Sequence, residues 1–101
     1  MGGVNMKMIQ QMQRRLESIQ TELAETIVEG SAGGGVVRAQ VTGAREFRSI
    51  SIDPSAVDPD DVEVLEDLIT VAIQDAMSRA TTMAEEKMGA LTGGMKIPGL
   101  M

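Results

Sequence analysis

The hydrophobic pattern of this chain changes period twice, and that double switch limits the folds open to it. Near the start, apolar side chains fall at Ile9, Met12, Leu16, Ile19 and Leu23, spaced 3, 4, 3 and 4 apart. This heptad seam predicts a helix over residues 5–27. About 22 residues of α-helix reach roughly 33 Å. Glutamine, arginine and glutamate surround the stripe, which is too narrow for burial inside a globule and suits packing against one or two helices. Between residues 26 and 53 the period drops to two. Val37, Ala39 and Val41 alternate with Arg38, Gln40 and Thr42, the mark of a half-buried strand. After residue 59 the period returns to that of a helix.

Within the middle segment, TIVEGSA, VVRAQV and EFRSISID read as three short strands of an antiparallel sheet. Gly33, Gly34 and Gly35 separate the first two. No lysine follows them and no helix opens after them, so they fit neither a phosphate-binding loop nor a dinucleotide fingerprint. Glycine tolerates positive φ, and at least one of the three is expected to use it in a tight turn. Gly43-Ala44 makes the second turn. Phe47 has the wrong parity to share a face with Ile50 and Ile52. Either a bulge near Arg48-Ser49 corrects the register or Phe47 packs on the opposite side.

Asp58-Pro59-Asp60-Asp61 then opens the second helix, predicted over residues 59–89, with Asp58 as N-cap and Pro59 at the first helical position. Asp60, Asp61 and Glu63 complement the positive end of its dipole. Ala72, Ala76, Ala80 and Ala84 recur every four residues, a small-residue ridge that allows close approach of another helix. Gly89, Gly93 and Gly94 end the helix, and residues 90–101 form a short tail expected to fray. The chain is thus a single α+β domain of 101 residues.

Composition removes most chemistry. There is no cysteine and no histidine, which excludes disulfides, thiolate metal sites and the commonest general base. The carboxylates around residue 60 lack the alternation and central glycine of a calcium loop, and helix capping explains them. No nucleophile elbow is present. The reading is of a non-enzyme that needs no metal, cofactor or small-molecule substrate. No apolar run approaches a membrane span and the N-terminus lacks a signal-peptide core, so a soluble protein of a reducing compartment is expected.

Charge is unevenly placed. The net charge is -6, yet residues 1–16 hold Lys7, Arg14 and Arg15 and no acid, while residues 49–101 hold ten acids and three bases. A basic helix tip on an acidic body meets a polyanion with one end only. With a single aromatic, Phe47, and nine methionines, the core is thin. Two projecting apolar stripes then point to a homodimer.

Taken in order, the Met- and Gln-rich first helix, EGSAGGGVV, SISIDP, DPDDVEVLEDLI with its long Ala- and Met-rich helix, and the closing LTGG and IPGL resemble the YbaB/EbfC family of bacterial nucleoid-associated DNA-binding proteins. The resemblance covers nearly the whole chain. It implies an α-β-β-β-α fold and an intertwined homodimer whose paired helical arms resemble tweezers. It implies a cytoplasmic, nucleoid-bound protein that binds double-stranded DNA with little sequence preference and affects nucleoid organisation or gene regulation. The DNA-contacting positions it implies are Lys7, Arg14 and Arg15, together with Arg79 and Lys87 near the end of the second helix. A dimeric adaptor for a protein partner in DNA repair or recombination is the alternative.

Overall fold

A computed structural model describes residues 6–91. Helix α1 (Met6–Glu25) is followed by strands β1 (Ile27–Ala32), β2 (Val37–Thr42) and β3 (Phe47–Ile52), then by helix α2 (Val62–Leu91). This is the predicted α-β-β-β-α order. The strands form one antiparallel sheet in the order β1-β2-β3. Thr26 joins helix to sheet: its amide donates back to the Glu22 carbonyl (3.0 Å), and its own carbonyl accepts from the Gly43 amide (2.9 Å). The helical ladder therefore closes on the residue that opens the strand pairing.

The second helix starts later than its proline suggests. Asp58 Oδ1 accepts from the Asp60 amide and the Asp58 carbonyl accepts from the Asp61 amide, each at 2.9 Å. Asp58 and Pro59 thus build a tight turn instead of capping the helix, a role that aspartate and proline both favour. At the other end α2 runs through Gly89 to Leu91. Beyond Leu91, the predicted tail with Gly93 and Gly94 lies outside the described residues, as does Asn5 at the start of the first predicted helix.

The glycine triplet is a 3-10 turn between β1 and β2, with φ of 64°, 74° and 97° at Gly33, Gly34 and Gly35. All three use the left-handed region that costs other residues energy. On β3 the register slips: Val41 faces Phe47, whereas Gln40 faces Ser49. Arg48 is the extra residue, so the bulge is present and Phe47, Ile50 and Ile52 share one face of the sheet. That face is also the inner face of β2, where Val37, Ala39 and Val41 are fully buried.

Helix α2 covers that face over β1 and β2. Ala72, Ala76 and Ala80 are fully buried there. Over these three residues the alanine ridge therefore receives the sheet, while Ala84 lines a groove with Leu23 of α1, and the reason lies in β1. A Cβ on Gly30 would collide with the amide nitrogen of Ala76 and lie 2.6 Å from the carbonyl oxygen of Ala72. Glycine against alanine brings the two backbones together. The core is correspondingly thin, and its largest fully buried side chains are Val37, Val41 and Thr42.

Candidate nucleic-acid interface

The root of α1 is fixed where Leu23 packs on Gly43. A Cβ there would stand 2.9 Å from the Leu23 carbonyl oxygen and 3.0 Å from its side chain. Burial along the heptad seam then fades toward the N-terminus. Leu23 is buried, Leu16 and Ile19 are half-buried, and Ile9 and Met12 are exposed, Met12 at 50%. The first turns of α1 stand clear of the body as an arm.

The basic residues divide by face. Lys7 and Arg14 lie seven residues apart, two helical turns, on one stripe opposite the seam. Arg15 is turned about 100° from Arg14 and flanks the end of α2. There it lines a groove of about 360 Å³ with Ser18, Ile19 and Glu22 of α1 and Lys87 and Leu91 of α2. Among the described residues no carboxylate pairs with Lys7, Arg14 or Arg15.

The two basic residues of α2 are placed otherwise. Lys87 Nζ donates to Glu22 Oε1 at 2.6 Å, tying α2 to the arm. Arg79 Nε donates to both carboxylate oxygens of Asp75 at 3.2 Å. Asp75 Oδ2 in turn accepts the Ser31 amide at 3.0 Å, on the outer edge of β1. The Ser31 amide, and secondarily Arg79, hold the Asp75 carboxyl below its usual 3.8. Arg79 thus belongs to the protection of a sheet edge. The structure brings Arg15 and Lys87 to one groove, sets Lys7 and Arg14 on another face, and leaves Arg79 apart. Sequence spacing gives no sign that Arg15 and Lys87 meet, since 72 positions separate them in the chain.

The charges of α1 run against its dipole. Lys7 sits in the first turn and Glu22 and Glu25 in the last, with no acid in the first turn and no base in the last. A helix is stabilised by the reverse arrangement, by about 0.3–1 kcal/mol per charge at low ionic strength. Helix stability therefore does not account for a basic tip. Among the described residues no group of three or more acidic side chains is placed to hold a metal ion, and no helix is long and apolar enough to cross a membrane.

The molecule is a three-stranded sheet backed by one helix, with a second helix whose cations have no carboxylate partner among the described residues. Comparisons with known proteins give its family. The sequence model of the YbaB/EbfC DNA-binding family matches residues 1–95, and the chain belongs to that family, which is not an enzyme class. A protein of Chloroflexus aurantiacus named nucleoid-associated protein is 57% identical over 91 residues, covering 90% of this chain and 91% of that one. Its namesake in Alkaliphilus metalliredigens is 50% identical over 95 residues, covering 94% and 83%. The fold matches that of the uncharacterized protein HP0035 from Helicobacter pylori at a TM-score of 0.65, across 92% of this chain and 98% of that one. At 21% identity that likeness concerns the fold alone.

Proposed function

We propose that the protein is a cytoplasmic, nucleoid-associated homodimer that binds double-stranded DNA with little sequence preference through its α1 arms, and so affects nucleoid organisation or gene regulation. The observation that carries this reading is the arm itself: Lys7, Arg14 and Arg15 are exposed and unpaired among the described residues, and Lys7 in the first turn stands against the helix dipole. Cations left without a partner in the fold are explained by a ligand that uses them. The net charge of -6 keeps the rest of the molecule off the duplex, orienting the encounter. Arginine meets phosphate with its planar fork, and such contacts position a protein on DNA without reading its sequence. No cofactor, metal or small-molecule substrate enters the reading. The adaptor alternative gains nothing from the comparisons.

Dimerisation has a different support from the stripes that first suggested it. The alanine ridge is used within the chain. The inner face of β3, by contrast, lies beyond the cover of α2, leaving Phe47 52% and Ile50 37% exposed. A second copy is the occupant that gives this small core the apolar neighbours it lacks.

The test of DNA binding is a mobility-shift titration with a random-sequence duplex at about 50 and 200 mM salt. The parent should bind at the lower salt and lose affinity at the higher. Replacing Arg14 and Arg15 together by alanine should weaken binding and flatten the log–log salt slope by about one for each phosphate left without its arginine. Helicity should persist, since alanine favours helix. No binding by the parent at the lower salt sinks the reading.

A further inference from the structure

We propose that Glu22 is an internal stand-in for a DNA phosphate, holding Lys87 out of binding until a phosphate enters the groove between α1 and α2 and displaces it. The inference rests on the DNA-binding reading and adds a residue that sets its strength. Three side chains carry it. Arg15 and Lys87, from different helices, line one groove. Glu22 lines the same groove and its Oε1 accepts from Lys87 Nζ at 2.6 Å. Arg15 has no such partner among the described residues. A carboxylate held on lysine in a groove that Arg15 also lines makes the charge-assisted hydrogen bond a phosphate oxygen would make there.

The pair is built to be exchanged. The Glu22 side chain is 56% exposed and the Lys87 side chain 31%. Ion pairs this open to solvent are worth little and weaken with salt, so a phosphate held on its other side by Arg15 can take the lysine. The exchange leaves a mark on salt dependence. Counterions condensed on DNA are released when a cation neutralises a phosphate. A lysine already neutralised by Glu22 trades one anion for another, so the displaced carboxylate offsets its contribution. The parent's salt slope should therefore carry little contribution from Lys87.

A double-variant cycle tests this with full-length protein and a random-sequence duplex across a salt series. Glu22→Gln keeps the shape and removes the charge. It should bind roughly fivefold tighter than the parent, with a log–log slope steeper by about one for each groove engaged. Lys87→Gln should weaken the parent with little change in its slope, and should abolish both gains in the Glu22→Gln background. Glu25→Gln, on the same helix but outside the groove, controls for the loss of one negative charge. Its effect should be smaller and should not depend on Lys87. The inference is overturned if Glu22→Gln matches Glu25→Gln, or if its gain survives the loss of Lys87. Should the parent bind DNA while Glu22→Gln leaves affinity and slope unchanged, this inference alone falls. If no variant binds, the DNA reading falls with it.

Discussion

Two glycines do opposite jobs, and their substitutions separate sterics from backbone strain. Gly30 is held by space: the backbone of α2 lies where its Cβ would be. Gly30→Ala should cost roughly 3 kcal/mol, because neither backbone can yield without disturbing the ladder or the helix. Gly35 has open space around it but a φ of +97°, so Gly35→Val should cost about 1–3 kcal/mol through conformation alone. Urea melts of the two variants check both, and a Gly30→Ala protein as stable as the parent would contradict the close approach. Asp75 gives a third test at this scale. Its folded-state pKa is depressed, so its stabilising contribution is fully present above its ordinary 3.8 and is lost as pH falls through the folded value. Asp75→Asn should lower stability at pH 7 while lessening its decline in acid below about pH 4, as read by melting temperature against pH.

At the scale of elements, what was legible followed from periodicity, and what was not depended on the meeting of distant segments. The heptad seam and the alternation in VVRAQV lead directly to α1 and β2. The parity conflict at Phe47 left a bulge or an outward Phe47 open, and the register shift between Gln40 and Val41 decides for the bulge. The alanine ridge misled because a row of small residues shows that something comes close and not what. Gly30 was the missing partner, and a lone glycine inside a short strand was the available signal. The start of α2 shifted because Asp-Pro serves a turn as readily as a helix. At the candidate site, the charge asymmetry of the first helix marked Lys7, Arg14 and Arg15. The grouping of Arg15 with Lys87 needed the antiparallel approach of two helices. A paired prediction follows for these elements. Ala76→Leu should destabilise by about 1–3 kcal/mol through overpacking against β1. Met12→Ala, on the exposed part of the seam, should stay within about 0.5 kcal/mol. Thermal melts of the two variants decide whether the ridge is core and the seam is surface.

For the whole molecule, the question is how so thin a core holds together. A chain of 101 residues whose largest fully buried side chains are two valines and a threonine is expected to draw stability from association. Sedimentation equilibrium at low micromolar concentration should give twice the 10.7 kDa chain mass. Phe47→Asp combined with Ile50→Asp should shift the protein to a monomer that melts at lower temperature. A stable, folded monomer of the parent would exclude this account.

The carboxylate that binds the outer edge of β1 has a consequence for the geometry of any such assembly. With Ser31 occupied by Asp75, the sheet has one sticky side and one blunted side. Units with two different sticky sides join head to tail and propagate into fibres. Units with one can only meet like to like, about a two-fold axis, and the contact is used up once it forms. In the proposed dimer Asp75 would act as a chain terminator, stopping growth at two copies.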